Sequence, residues 1–465
     1  MAVMFAQKTA GFLRRRWKWL AVIAAALLLL AFLLAPRASE ASRRFDQLRA
    51  EGLPTTPAEL DRWYALVPAD QNIAGPLLDA ATGLRGAAGT NLPFIGTGPL
   101  PKRGDPLPVP ARAQMMEFVS GNQESFTELH AALQRPRARF PINLSGGGMN
   151  LVLPHLVVLK RTANAFALEA YLAADRREPD RAFHALNDGL RLGDIVKTEP
   201  TIISMLVGIA CHAITIGAAE HVLSRDVLGD AELAKLQYAF HHSASNHSFA
   251  TALLGEMCLV ESIRGLSASN VVASFGPSNP TSISEMMQVA RLWLYTASGM
   301  TRRDHAAVVE ILDDQRRNAL RPFPERWHNG RKIAEEANRK LSRQFLPLAG
   351  AFVFPNSSAK DGRIVATLEA ASVACAVERY RRAHNQRLPE SLNALVPDVL
   401  EAIPHDPIDG QPLRYRPFTN GYVVYSIGED ERDDGGVEYR NRPKKGPNQG
   451  WDYTFVVQRG AGKED

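Results

Sequence analysis

From Trp19 to Ala35 the chain runs for seventeen residues without a polar side chain (WLAVIAAALLLLAFLLA). A helix rising ~1.5 Å per residue would make this run roughly 26 Å long, enough to cross the hydrocarbon of a bilayer. Trp17 and Trp19 are suited to the headgroup level. Lys8, Arg14, Arg15, Arg16 and Lys18 precede the run with no acid among them, whereas Arg37, Arg43 and Arg44 follow it in company with Glu40 and Asp46. This asymmetry predicts residues 1–18 as a cytoplasmic flank, residues 19–35 as a single transmembrane helix, and export of everything beyond. The alternative is a signal peptide cleaved near Ser39-Glu40-Ala41. The length of the run, greater than the ~7–15 residues of a signal core, favours a retained anchor.

The flank also accounts for the charge. The formal net charge is +5, but removing its five cations from the 54 Lys and Arg leaves 49, against 49 Asp and Glu. The remaining chain has no net field toward polyanions, so nucleic acid is not an expected partner. The expected partners are the lipid bilayer and other envelope proteins. Cys211, Cys258 and Cys375 are far apart, odd in number and set among apolar residues, and read as buried thiols.

The exported part divides by composition. Residues 36–110 hold a helical stretch, in which Thr56, Pro57 and Glu59 form a start signal with a capping box, and then a Pro/Gly-rich excursion over 85–112. Residues 111–353 read as an α-helical domain with segments at 112–134, 151–175, 179–197, 201–224, 230–265, 283–299, 303–317 and 325–344, interrupted by a polar loop at 266–284. Beyond the break at 354–362, residues 360–465 change character. An amphipathic helix at 362–385 carries a stripe of Ala366, Ala370, Val373, Val377 and Tyr380, with Glu378 and Arg382 as a surface pair. Three β-type runs follow, LRYRP (413–417), GYVVYSIG (421–428) and YTFVVQ (453–458). The expected fold class is mainly α, with one N-terminal transmembrane helix, a helical exported domain and a small C-terminal α+β domain.

The series VERYRRAHNQRLPESLNALVPDVLEAIPHDPIDGQPLRYRPFTNGYVVYSIGEDERDDGG resembles the soluble head of the major pseudopilin of type II secretion systems. It shares a helix ending in a polar turn, then LP, a short helix, a P.DP..G.PL.Y turn, an aromatic strand, and S-x-G followed by acids. In pseudopilins the loop after S-x-G binds calcium. The resemblance therefore implies Asp430, with Asp433 and Asp434, as candidate calcium ligands, in keeping with the six to eight oxygens this ion takes. It covers about 100 residues and not the leader, because Gly11-Phe12-Leu13-Arg14-Arg15-Arg16 lacks the processed pseudopilin signature. A pseudopilin-like head appended to a tethered protein is implied, and a fibre subunit is not.

Other constellations carry weaker chemistry. His241, His242, His247 and Glu256 lack the spacing of a zinc site, and Glu220-His221 stands alone in the sequence. Gly146–Gly148 reads as a flexible loop, and Arg135, Arg137 and Arg139 as a solvated basic edge. No nucleophile elbow, P-loop or dinucleotide fingerprint occurs. The leading expectation is an envelope protein that mediates protein contacts beside a secretion- or pilus-type system. The alternative is an exported, membrane-tethered hydrolase. Carboxylates and histidines such as His155, Glu169 and His242 converging on one pocket would favour the enzyme, and an apolar groove would favour binding.

Overall fold

The computed structural model describes residues 24–25, 39–86, 92–148, 151–245, 248–264, 267–343, 353–354, 356–438 and 450–460. The anchor expected at Trp19–Ala35 therefore lies outside the described residues, apart from Ala24 and Ala25, which are helical and exposed. The described chain is mainly helical with one small antiparallel sheet.

Helix α1 (Ser39–Ala50) begins almost at once after the apolar run. In α2 (Pro57–Trp63), Thr56 caps as expected by accepting from the Glu59 N–H. Glu59 does not close the capping box onto Thr56, however; its carboxylate accepts from the N–H and hydroxyl of Thr55, one residue earlier. After α3 (Ala74–Gly83), the helix expected over 112–134 is split into α4 (Val109–Gly121) and α5 (Gln123–Leu133). Asn122 makes the break. Its side-chain amide bonds both backbone groups of Arg85 and the carbonyl of Phe118, competing with helical pairing as short amide side chains do.

Three long helices build the main core: α6 (His155–Asp175), α7 (Pro179–Val196) and α8 (Ile202–Ser224). Among the described residues α8 is the one helix long and apolar enough to cross a membrane, yet it packs against α6, α7 and later elements. Gly189 and Gly193 let α7 and α8 approach. A Cβ at Gly193 would lie 2.2 Å from the His212 ring, and one at Gly189 would lie 2.5 Å from Thr215 Oγ1. The segment expected over 230–265 is two helices, α9 (Asp230–Ala244) and α10 (Ser248–Val260). The expected polar loop at 266–284 contains α11 (Ala268–Phe275), capped by Ser267. Then come α12 (Ile283–Ala297), α13 (Met300–Ala319) and α14 (Glu325–Arg343).

The C-terminal part is α15 (Ser357–Ala383) followed by β1 (Arg414–Phe418), β2 (Gly421–Ser426) and β3 (Tyr453–Gln458), in the order β1-β2-β3 with antiparallel pairing throughout. This is the helix and small sheet expected there. No gap in the core separates it from what precedes. One cluster of buried side chains runs from Leu60 and Leu77 through Phe166, Leu190 and Phe240 to Val373, Tyr422 and Val457. Helix α15 lies against α9 on one side, α8 and α14 on others, and under β2 and β3. That is why it is buried nearly all round. It is also why Glu378, expected as the surface partner of Arg382, is instead enclosed. Glu378 accepts from Arg381 and Arg459, while Arg382 turns to Asp226. A second core, with Phe45, Leu48, Phe249, Leu253, Val309 and Leu312, joins α1, α10 and α13.

Candidate functional site

The acidic loop follows β2. Glu431, Gly435 and Gly436 take left-handed backbone, which curls residues 428–436 into a compact turn. Asp433 is drawn away from the turn's centre: one oxygen accepts from the Gly435 N–H at 2.9 Å and the other lies 3.3 Å from Arg414 Nε. Asp430 and Asp434 converge. A Cβ built on Gly450 would fall 2.1 Å from Oδ2 of each, so the two oxygens are separated by no more than twice that distance. Asp434 Oδ2 is shut off from solvent with no hydrogen-bond partner. Burial and the charges of Asp430 and Asp433 raise the Asp434 pKa, with Arg432 acting the other way.

Asp452 completes the acidic group. It accepts from the Gly436 N–H at 2.7 Å and the Asp434 N–H at 3.4 Å. Burial, joined by the charges of Asp434 and Asp433, pushes its carboxyl up to about 6. Sequence reading did not place Asp452 here, because residues 435–451 intervene. Its pairing across the loop, with Glu438 bridged to Asp452, is a product of the fold. Asp430 and Asp434 fit a cation: two like charges are held together around an orphaned oxygen, and only a glycine leaves the space beside them open. Among the described residues no group of three or more His, Cys, Asp or Glu side chains surrounds one point, so backbone carbonyls would have to complete a calcium shell. A bound ion would neutralise the two carboxylates and close the turn that carries them.

The neighbouring turn needs no metal. Asp406 is fully buried and accepts from the Ile408 and Ile427 N–H groups, the Ser426 hydroxyl and Arg414. Asp409 accepts from the Gln411 N–H and pairs with Arg414 as well. These are the side-chain-to-backbone bonds that Asp in a Pro-bounded turn supplies.

In the helical body His155, Glu169 and His242 do not converge on one pocket. His155 bonds Glu199, which also accepts from Ser204, all of it buried. Glu169 belongs elsewhere: His130 bridges it at 2.9 Å and Asp188 at 2.6 Å, and Arg181 adds a bond to Glu169 at 2.9 Å. Burial opposes the charged imidazole of His130, but the hydrogen bonds and charges of the two carboxylates outweigh it and raise its pKa to about 9. His241 bonds Glu369 on α15. Glu256 is buried at the start of α8, accepting from the Ile202 N–H, and burial lifts its pKa to about 7. His247 lies outside the described residues. Glu220, isolated in the sequence, joins three distant segments: it accepts from Arg103 and from the Val456 N–H, and Arg103 also pairs with Glu438.

The remaining motifs are likewise consumed. Arg135 donates to the carbonyls of Ala69 and Asn72, and Arg139 pairs with Asp61 while lying over the Tyr64 ring. The Gly148 N–H is taken by Ser262. All three cysteines are buried and unpaired with one another.

His242 lines an open groove of about 820 Å³ between α7 and α9, where Phe183, Leu190, Ile195 and Ala239 are apolar and Tyr238 is 71% exposed. Asp194 and Ser243 stand in it too, but the Ser243 hydroxyl donates to Asp194 and not to a histidine. A hydroxyl paired with a carboxylate in this way has no imidazole base to activate it.

No protein-family model, curated protein or solved structure matches this chain.

Proposed function

We propose that the chain is a single-pass envelope protein held in the inner (cytoplasmic) membrane by Trp19–Ala35, with its N-terminus cytoplasmic and its bulk on the periplasmic side. There it mediates protein contacts beside a secretion- or pilus-type system. Its C-terminal unit resembles a pseudopilin head in pattern, and in this reading Asp430 and Asp434 hold calcium with backbone oxygens. One observation carries the choice of a binding role over a hydrolase: His155, Glu169 and His242 are spread over three separate places. Two of them are locked in closed networks, and the third edges an open groove of mixed apolar and polar lining. A groove in which apolar Phe183, Ile195 and Ala239 stand among Asn187, Arg191, Thr198 and Lys235 offers another chain both apolar contact and polar anchoring.

Photocrosslinking in the native membrane tests this. A benzoylphenylalanine in place of Tyr238 should give discrete adducts with an envelope protein of such a machine. The same group in place of exposed Glu117, outside the groove, should not. Equal or absent adducts at the two positions would sink the binding role.

A further inference from the structure

Helix α12 has two apolar faces, and the fold uses only one. Leu292 and Tyr295 point inward and are buried with Val271 of α11, and the Tyr295 hydroxyl donates to Asp304 at 2.6 Å, which fastens the pair α11–α12 to α13. On the other side Ile283, Met286, Met287, Trp293 and Leu294 are 79%, 60%, 52%, 50% and 64% exposed. At 3.6 residues per turn these five fall within an arc of about 120°, nearly opposite the buried pair. No other helix of the described chain concentrates exposed large apolar side chains in this way. The helix start does not depend on that face. A capping box between Ser282 and Glu285 begins it, and Glu285 is spent accepting from the Thr281 and Ser282 N–H groups.

The position of α12 says what the face meets. Only Pro36, Arg37 and Ala38 separate the apolar run from α1, so the first turn of α1 lies within about 14 Å of the end of the run, even with the chain fully extended. That first turn stands against the first turn of α13: Ala41 and Ser42 share a cavity wall with Arg302 and His305, and the Phe45 ring stacks on His305. Helix α12 ends at Ala297, and Gly299, in left-handed conformation, turns the chain straight into that same end of α13. The exposed face thus begins where the anchor would leave the bilayer. Arg264 and Arg302 lie at this end, with Glu261 as their acidic neighbour already paired to Arg264 and His305, and Arg291 is exposed on α12 itself.

We infer that α12 is an interfacial helix, lying on the exported leaflet of the membrane with Ile283, Met286, Met287 and Leu294 in the acyl boundary, Trp293 at headgroup level, and the arginines beside anionic headgroups. The inference rests on the anchor reading. It makes the exported body a lipid-seated one, held by a helix across the bilayer and a second along it.

Site-directed spin labelling of the full chain in vesicles of phosphatidylethanolamine and phosphatidylglycerol tests it. Nitroxides are placed through Met287→Cys and Leu294→Cys, with Ser284→Cys as the control on the flank of the helix. All three positions are exposed, so the fold should tolerate the changes, and the native cysteines are buried. Collisional relaxation by oxygen should exceed that by a water-soluble nickel chelate at 287 and 294, and the order should reverse at 284. If the chain floats with the vesicles but the chelate dominates at 287 and 294, the inference is overturned and the anchor stands. Labels shielded from both reagents would place the face against protein and overturn it too. A chain that fails to float overturns both readings.

Discussion

At the scale of single residues, the buried carboxylates decide local structure. Asp406 organises four donors from three segments, so Asp406→Ala leaves them without their acceptor in a closed interior. The cost should be about 3 kcal/mol or more, read as a lower midpoint in chemical denaturation of the full chain. His130 makes a pH prediction. Its folded pKa of about 9 lies above its ordinary 6.5, so the stabilisation is complete below pH 6.5 and fades as pH rises toward 9. Between those limits the wild-type chain should lose about 2–3 kcal/mol more than a His130→Gln variant. Superimposable pH profiles would refute this. The backbone bonds of the Asp406 turn follow from its Pro-bounded pattern, but the His130 network is not legible in the sequence, because His130, Glu169 and Asp188 sit on three helices and carry no spacing signal.

Among the elements, the acidic loop joins β2 to β3 through like charges. Calcium should raise the unfolding midpoint of the full chain, and chelator should reverse the shift. Asp434→Asn should abolish the calcium response while slightly stabilising the metal-free form, since it removes a charge from a crowded group. An unchanged midpoint with and without calcium would dispose of the metal site. Relative to an Asp452→Asn variant, the metal-free protein should also gain stability on acidification from pH 7 to pH 5. The folded pKa of Asp452, about 6, exceeds its ordinary value, so the folded state takes up the proton more readily. Calcium should flatten that dependence. The strands themselves were legible: alternating aromatic and β-branched residues bounded by Pro and Gly give β1, β2 and β3 within a residue or two. The kink at Asn122 and the helix inside 266–284 were not, because side-chain bonding to a distant backbone and a short capped turn leave little periodic trace.

For the whole molecule, α15 is a core helix shared by the helical body and the sheet. Removing residues 357–465 would uncover the apolar sides of α8 and α9 together. The truncated chain should therefore aggregate or bind a hydrophobic dye strongly, and not persist as a folded remainder. In the intact chain the most protected amides of α9 and α15 should exchange through one common opening, measured by native-state hydrogen exchange. Two well-separated opening free energies would mean that the C-terminal unit is an independent body. The composition break near residue 354 does not reveal this sharing, since it records a change of local pattern and not where apolar faces meet.

Periodicity, capping residues and turn chemistry were enough to determine most elements of this protein, because those signals act over three to four residues and survive any packing. The same is true of the apolar run near its start and of the charge asymmetry around it. Tertiary structure alone decided which charges are consumed and which remain. It turned Asp433 toward Arg414, brought Asp452 to Asp434, enclosed Glu378, and gave Glu220 its partners from residues 103 and 456. It also left one face of α12 uncovered. The reason is common to all of these: a side chain's partner in a packed interior is set by which elements cross above it, and that information is not carried by its neighbours along the chain.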